Sequence, residues 1–499
     1  MKKTVTLARV ICLIMALCMV AAAFVACGTE GNNPDSTQGN NGNATGSATQ
    51  ETGAKTDEDG YLLDNLPEDL SLNREVKILY SQHNKGDVCP EELSENVVSN
   101  AIYNRWLTVQ ERLDTEITWV PKDGQWNNAR TEFFKLVETT STTGDAFDAI
   151  LAYNLFPGAL AQQGLLQNLG DTDYIDLTAP WWPQAFLDEI MINDVVYGLV
   201  ENSSKTTLQH LHGTFFNNEL IESHNLRSPY EMVKANEWTF DNMMAMIKDT
   251  WQDLNSNGIK DDSDFFGVVT GTEAKIETWF FSMGYRYSQR NAEGIPELIM
   301  DDSTKMTEWI DRFNVATDTN DFLLYDTKGH TTAFFEERTI LYTTSLVMVN
   351  SAVSKGMELD YGVVPVPKGD ENQEMYISNV ANHHTAWMAP IETEDLQESA
   401  ALIECMASES YRQVAPVYFD ACVKLRYAPD ERLAEMYDLI RETITFDFCQ
   451  IYSFVFTVDP RKMITNCTKG TTQWSSQWAS SGAVTESSFQ QILALYGVG

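Results

Sequence analysis

The sequence predicts an α/β protein whose sheets are mostly parallel and covered by helices on both faces. Residues 75–80, 116–120 and 147–152 are short runs rich in β-branched and apolar side chains, a composition typical of strands. Segments with helical spacing separate them, and strands that alternate with helices are typical of parallel sheets buried on both faces. With 499 residues, the chain is long enough for two or three domains.

The helical segments show apolar side chains at spacings of three and four. Such a stripe runs over residues 98–113, and residues 128–139 form a second predicted helix. Later strands are expected at 193–200 and 210–216. Thr239 has the side chain of a helix N-cap, and apolar stripes predict two more helices, at 396–407 and 433–440.

The N-terminus has the pattern of an export signal that ends in a lipid-modified cysteine. Three basic residues precede an apolar run over 10–26, and small residues lead to Cys27. This pattern resembles a bacterial lipobox, so residues 1–26 are expected to be removed and Cys27 to carry lipid. The alternative is a transmembrane anchor, but a run of 17 residues is shorter than the roughly 20 needed to span a bilayer.

The segment after Cys27 is predicted to be a disordered tether over residues 27–72. Its first part, 28–60, is mostly Gly, Asn, Thr, Ser, Gln and Asp, a composition that buries too little apolar surface to fold. About 30 such residues span roughly 30 Å on average. The protein is therefore expected outside the cytoplasm, held by lipid at the outer face of the cell membrane.

The charge of the chain excludes some partners. The 72 acidic residues outnumber 34 basic ones, for a net charge of −38, and loss of the three basic residues of the signal makes it −41. Nucleic acid and anionic membrane surfaces are poor partners for such a field. After removal of the signal and lipidation of Cys27, an odd number of cysteines remains and no CxxC spacing occurs, so their pairing stays open. These cysteines are Cys89, Cys405, Cys422, Cys449 and Cys467.

Several ordered motifs resemble the extracellular solute-binding proteins of bacterial ABC importers, in their carbohydrate-binding group. The resemblance covers roughly residues 73 to 499. The motifs are TGDAFDAILAYN (143–154), GLLQNLGD (164–171), VYGLVENS (196–203), GTFFNNELIESHNL (213–226), EWTFDNMMAM (237–246) and YGVVPVPKGDENQ (361–373).

The resemblance implies a two-lobed periplasmic-binding-protein-like fold of type II, with a mixed, mostly parallel sheet in each lobe. Lobe 1 is expected at 73–205, with 386–425 returning to it, and lobe 2 at 206–385, with 426–499 returning to it. Crossing hinge strands join the lobes, a ligand binds in the cleft, and the closed monomer docks on permease subunits. No reaction is implied.

Ligand-binding residues are predicted by two rules. Polar side chains that follow strand ends line the clefts of α/β proteins, and tryptophan offers a face to the apolar side of a sugar ring. Tyr285, in the segment after Trp279, and Asn382, ahead of Trp387, are included. The predicted ligand residues are Ser81, Gln82, Trp126, Tyr153, Asn154, Glu201, Asn202, Trp279, Tyr285, Asn382 and Trp387.

The segment from Asp253 to Asp264 fits a twelve-residue calcium loop. Oxygen-bearing side chains occupy positions one, three, five, nine and twelve, and Gly258 stands at position six for the sharp turn. We expect a structural Ca²⁺ ion of weak affinity, roughly 10⁻⁴ to 10⁻³ M. Its predicted ligands are Asp253, Asn255, Asn257, the carbonyl of Ile259, Asp261 and Asp264.

Two other functions stay open. A secreted glycan-active enzyme would need two cleft carboxylates, one with a raised pKa, and a ligand-sensing lipoprotein would share every feature above. The pairs His210 and His212, and His383 and His384, lack a third ligand cluster for zinc. Because no GxSxG, HExxH, P-loop or GxGxxG motif occurs, common catalytic templates receive no support.

Overall fold

Two separate mixed β-sheets organise the chain, as the predicted two-lobed α/β fold requires. The computed structural model describes residues 55–88, 90–125, 127–143, 147–271, 274–325, 330–348, 360–418, 431–468 and 470–498. In chain order the strands are β1 (Arg74–Ser81), β2 (Thr115–Lys122), β3 (Ala149–Tyr153), β4 (His212–Asn217), β5 (Phe266–Gly271), β6 (Ser288–Arg290), β7 (Pro296–Leu298), β8 (Phe322–Tyr325), β9 (Thr339–Ser345), β10 (Tyr361–Val364), β11 (Ser378–Asn379), β12 (Thr385–Met388) and β13 (Ile444–Thr445).

Helices surround both sheets. They are α1 (Val97–Arg112), α2 (Phe133–Thr143), α3 (Phe156–Ala161), α4 (Gln184–Ile190), α5 (Lys205–His210), α6 (Asn218–Ser223), α7 (Pro229–Lys234), α8 (Phe240–Met246), α9 (Ala274–Ser282), α10 (Ser303–Thr317), α11 (His330–Phe335), α12 (Leu396–Glu409), α13 (Glu431–Glu442), α14 (Phe448–Ile451), α15 (Pro460–Thr468) and α16 (Trp474–Ala494). A 3-10 turn, Gln82–Asp87, follows β1 directly.

The first lobe is built around the sheet β12-β3-β1-β2. Strand β1 is parallel to both β2 and β3, so the carboxyl ends of the three strands lie at one edge. Strand β12 enters from that edge and pairs antiparallel with β3, Thr385 opposite Tyr153. Helix α1 packs on β2, and α12 packs on α1.

The second lobe is built around the sheet β10-β4-β9-β5-β8. Strands β9, β5 and β8 are parallel, with β8 at the edge, whereas β4 runs antiparallel to both β9 and β10. Helices α9 and α11 pack on β5, α13 packs on β10, and α15 and α16 pack on α10. The Thr239 side chain caps α8, as predicted, by accepting the Asn242 N–H.

Two neighbouring described segments carry the chain between the lobes, and a third crossing lies between α12 of the first lobe and α13 of the second. Residues 201–211 lead from the first lobe to β4, and residues 380–384 lead back to β12. Isolated bridges pair Leu199 with Trp387 and Leu211 with Val380, which holds the two crossing segments side by side. Phe454, which precedes α15, also packs its ring against Phe134 and Phe156 of the first lobe.

One predicted strand does not form. Residues 193–200 make only isolated bridges, because Asn193 and Asp194 have φ values of 53° and 59° and turn the chain. The predicted helix at 128–139 begins later, at Phe133. The predicted tether is too long at its C-terminal end, because residues 55–72 pack on the first lobe: Asp64 binds Arg112 and Ser408, and Leu66 and Leu72 are buried. Within the described ranges, no helix combines the length and apolar character that crossing a membrane requires.

The first lobe contains a buried carboxylate that joins two indoles. Glu404 of α12 accepts the Nε1–H groups of Trp181 and Trp182 at 3.1 and 3.0 Å, and all three residues are buried. Burial raises the pKa of the Glu404 carboxyl to about 8, although the two indole donors oppose this effect. The native state therefore holds a proton here that an unfolded chain releases near pH 4.5.

We expect the free energy of unfolding to fall as the pH rises from about 4.5 to about 8, because the folded state then binds more protons than the unfolded state. In Glu404→Gln this contribution is absent, and one indole N–H loses its acceptor, at a cost of about 1–3 kcal/mol at every pH. Urea unfolding of both proteins at pH 5 and pH 8 checks this. If the free energy of unfolding falls by the same amount in the wild type and in Glu404→Gln between pH 5 and pH 8, the prediction is wrong.

Candidate functional site

The carboxyl-terminal edge of the first sheet lies beside the crossing segment 380–384. Tyr153 ends β3 and Asn154 follows it, while Asn84 lies in the 3-10 turn after β1. The Asn154 N–H donates to the His384 carbonyl at 3.1 Å, and Asn84 Nδ2 donates to the His383 carbonyl at 2.7 Å. Both asparagines are therefore held against the same segment; we call this region the strand-end site.

Amide oxygens at the strand-end site are buried without a partner. Asn84 Oδ1 and Asn154 Oδ1 accept no hydrogen bond from any described residue, although both side chains are almost fully buried. Asn154 Nδ2 is 3.5 Å from Asn382 Oδ1, and Asn382 Nδ2 is 3.4 Å from the Gln450 carbonyl. Because an unpaired buried acceptor is costly, a movement of the crossing segment that exposes these oxygens would let a polar molecule supply the missing donors.

Aromatic rings lie next to these amides. The Tyr153 ring meets the edge of His383 at a centroid distance of 6.1 Å, and His383 stacks on His210 at 5.6 Å with planes 25° apart. His383 is exposed and His210 is partly exposed. The group offers flat surface beside hydrogen-bonding amides, which is the combination that binds polar ring compounds.

Four predicted ligand residues lie close to this edge with different exposure. Gln82 is exposed, while Ser81 is buried and its hydroxyl is 3.4 Å from the Gly124 carbonyl. Asn202 is partly buried, and its backbone N–H donates to the Trp181 carbonyl at 2.8 Å. Asn382 is part of the amide chain described above.

Sequence reasoning missed Asn84, His83 and Asp123. His83 Nε2 and Asp123 Oδ1 are 2.9 Å apart at an exposed position, where the ends of β1 and β2 lie side by side. These residues also follow strand ends, as Ser81 and Asn154 do, so the rule for polar residues at strand ends extends to them.

Trp279 was predicted to stack on a ligand, and that prediction is wrong. Its side chain is 0% exposed and packs against Phe240, Phe313 and Phe322 of the second lobe. Its Nε1–H points at Thr270 Oγ1, 3.4 Å away. Trp279 is therefore a core residue of the second lobe.

Trp387 was likewise predicted to stack on a ligand, and it is also buried, with 1% of its surface exposed. Its Nε1–H donates to the Glu201 carboxylate. Burial raises the pKa of Glu201, an effect opposed by Arg105. Glu201 and Trp387 thus stabilise the interior of the first lobe and offer no ring face to a ligand.

Three further predicted residues have other outcomes. Tyr285 is half-buried and packs against Phe280 and Trp309, inside the second lobe. Trp126 lies outside the described residues, as does the lipidation residue Cys27.

The predicted calcium loop is closed by its own hydrogen bonds. Asp253 accepts the Gly258 N–H at 2.7 Å, and Asp261 accepts the side-chain amides of Asn257 and Asn255 at 2.6 and 3.2 Å. Asp264 is buried and accepts Trp251 Nε1–H at 3.2 Å. Their oxygens are of the kind that Ca²⁺ prefers, yet among the described residues no three His, Cys, Asp or Glu side chains gather as metal ligands.

The turn of this loop is formed by Gly258 and Ile259. Gly258 has a φ of 72°, a left-handed conformation that glycine adopts readily, and Ile259 is exposed. The backbone N–H of Ser263, followed by the Asn257 amide, lowers the pKa of Asp261. Calcium binding therefore stays a prediction.

No protein-family model matches this chain, and no curated protein matches it. Solved structures share its fold. The GacH receptor of Streptomyces glaucescens GLA.O, solved unliganded and with acarbose, is 13% identical, with a TM-score of 0.53 over 85% of this chain and 99% of the receptor. A cyclo/maltodextrin-binding protein in complex with maltotetraose is 11% identical, with a TM-score of 0.54 over 83% of this chain and 97% of that protein.

A third similar structure is the ABC substrate-binding protein Lmo0181 from Listeria monocytogenes in complex with cycloalternan. It is 13% identical, with a TM-score of 0.51 over 85% of this chain and all of that protein (100%). At such identities the likeness establishes the fold. The chain has the two-lobed, periplasmic-binding-protein-like α/β fold that its sequence resembles.

Because Trp279 fills the core of the second lobe, we expect Trp279→Ala to lower the free energy of unfolding by about 3–5 kcal/mol. The matched variant is Trp478→Ala, since Trp478 is only half-buried and stacks on Trp474; its loss should be smaller. Denaturant unfolding of both variants checks this. A Trp279→Ala protein as stable as the wild type would contradict the assignment to the core.

Proposed function

We propose that this protein is the solute-binding component of an ABC importer. It captures an oligosaccharide or similar polar solute by closure of its lobes and delivers it unchanged to permease subunits. The observation that carries this proposal is the strand-end site, where buried, unpaired amide oxygens of Asn84 and Asn154 lie beside the crossing segment.

The chemistry of the strand-end site suits a neutral, hydroxyl-rich ligand. Sugar hydroxyls donate hydrogen bonds to amide oxygens, and the apolar faces of sugar rings pack on aromatic side chains. The Tyr153, His383 and His210 rings supply such surface next to the asparagines. Both contributions come from residues within a few positions of strand ends or crossing segments.

The fold supports the same conclusion. The GacH receptor, the cyclo/maltodextrin-binding protein and Lmo0181 were solved with acarbose, maltotetraose and cycloalternan respectively. By analogy, an oligosaccharide is the ligand class to test first. Two lobes joined by crossing segments close when a ligand contacts both, because only the closed state makes every contact.

The N-terminal pattern supports a lipid tether. Lipid on Cys27 would hold the protein at the outer face of the cell membrane, with the residues that precede 55 as the tether. Such a tether raises the concentration of the binding protein near a permease in the same membrane. The signal peptide, the lipid and the monomeric state are parts of this proposal.

A binding role is favoured over glycan hydrolysis because the similar solved structures are a receptor and binding proteins. Near the crossing segments, Glu201 accepts a hydrogen bond from Trp387, Glu277 from Gln450, and Asp87 from Thr206 and Thr385. One oxygen of Glu201 and one of Glu277 have no partner among the described residues, and burial raises the pKa of both carboxyls, so incubation with glycans is the direct test for hydrolysis. A sensing lipoprotein would bind in the same way, and only transport by cells that carry the permease separates the two.

We expect maltotetraose or cycloalternan to raise the melting temperature by mass action, and Asn154→Ala to weaken binding at least tenfold, about 1.4 kcal/mol. Titration calorimetry measures the affinity. The matched control is Asn314→Ala on α10, because Asn314 also has one bonded amide nitrogen and one unpaired oxygen. Equal losses in both variants would contradict the strand-end site, and release of shorter glycans on incubation would favour the enzyme.

For the loop at 253–264, we predict that millimolar Ca²⁺ raises the melting temperature and that Asp261→Asn abolishes this rise. The affinity should be that of an extracellular module, about 10⁻⁴ to 10⁻³ M. Asp301→Asn removes one exposed acidic charge elsewhere and should leave the rise intact. A wild-type protein that gains no stability at saturating Ca²⁺ would reject the loop as a calcium site.

A further inference from the structure

The two crossing segments contact each other through a pair of threonines. Thr206 lies in the first segment and Thr385 at the end of the second, and their hydroxyl oxygens are 3.1 Å apart. The backbone N–H of Thr385 also donates to Thr206 Oγ1 at 3.1 Å. Both side chains are buried. At this point the two segments leave the first lobe together.

A carboxylate of the first lobe binds both threonines. Asp87 Oδ2 accepts the Thr385 hydroxyl at 2.7 Å and the Thr206 hydroxyl, while Oδ1 accepts the Thr206 N–H at 3.2 Å. Asp87 is 1% exposed. It is the last residue of the 3-10 turn that extends β1, so strand β1 fixes its position.

The neighbours of Asp87 make this contact close and rigid. A Cβ on Gly86 would lie 2.7 Å from Thr206 Cγ2, so the turn approaches Thr206 more closely than a larger residue would allow. Arg105 of α1 donates to the Asp87 carbonyl at 2.6 Å and to Ser410 Oγ at 2.8 Å. Its guanidinium, also 1% exposed, brings a positive charge next to the buried carboxylate.

We propose that Asp87, Thr206 and Thr385 form a clamp that fixes the hinge of the protein and thereby sets the balance between open and closed lobes. A carboxylate that is buried with three donors resists displacement, because each broken contact leaves the buried charge with fewer hydrogen bonds and no water to replace them. In these two crossing segments, rotation of the second lobe must then occur beyond the clamp, within residues 207–211 and 380–384. Asp87 is a positioning residue and does not contact the ligand.

The clamp affects ligand affinity because it changes the fraction of molecules whose hinge geometry allows the lobes to close. When only a fraction of molecules holds that state, the apparent dissociation constant rises by the inverse of the fraction. This inference rests on the proposed function insofar as it expects the lobes to close on a ligand. The hinge geometry itself is measurable without any ligand.

The test is the distance distribution between spin labels in the ligand-free protein, with labelled noncanonical residues at the exposed positions Glu111 on α1 and Asp311 on α10. We expect Asp87→Asn and the isosteric Thr385→Val to broaden the distribution, and Thr385→Ser, which retains the hydroxyl, to restore it. With a glycan that the wild type binds, both disruptive variants should lose about tenfold in affinity.

The matched control is Asp64→Asn. Asp64 is another buried carboxylate of the first lobe, and it binds Arg112 and Ser408 away from the crossing segments. The Asp64→Asn variant should have a lower melting temperature and an unchanged distance distribution between the spin labels. If Asp87→Asn and Thr385→Val behave as Asp64→Asn does, the clamp is merely structural and the proposal fails.

Two further outcomes separate the proposals. If Asp87→Asn does not fold, Thr385→Val decides the question, because it removes one hydroxyl and preserves volume. If no glycan binds the wild type, the proposed function fails while the ligand-free distances still report on the clamp.

Discussion

A buried carboxylate at the junction of the two lobes is the interaction on which the rest of this structure depends. Asp87 joins β1 to both crossing segments through Thr206 and Thr385. These three residues are far apart in sequence, and only a fold that brings them together can satisfy the charge. Because an unpaired buried carboxylate costs several kcal/mol, this requirement selects one arrangement of the crossing segments.

The strand-end site follows from that arrangement. Thr385 is the first residue of β12, so its position determines where residues 382–384 pass over the carboxyl ends of β1 and β3. That path brings the His383 carbonyl to Asn84 and the His384 carbonyl to the Asn154 N–H. The polar edge of the first sheet is thus assembled by a segment that arrives from the second lobe, which is how a ligand there can affect both lobes.

Sequence reasoning predicted those features that depend on local pattern. The strands at β1, β2 and β3, the stripe of α1 and the Thr239 cap are all local, and each was confirmed. Asn154 was identified because its place after a strand is also local. The burial of Trp279 and Trp387 was missed, since the packing of a tryptophan depends on residues such as Phe313 and Glu201 that are distant in sequence.

The junction uses charge and amides for different purposes. At the clamp, a carboxylate accepts from fixed donors, which suits a point that must stay in place. At the strand-end site, Asn154, Asn382 and Gln450 form a chain of neutral amides that ends at Glu277 of the second lobe. An amide both donates and accepts, so it can exchange one partner for a ligand hydroxyl while it keeps another. A neutral chain therefore allows ligand contacts to change at little electrostatic cost. The clamp beside it contains the buried charge of Asp87, whose hydrogen bonds hold the crossing segments in place.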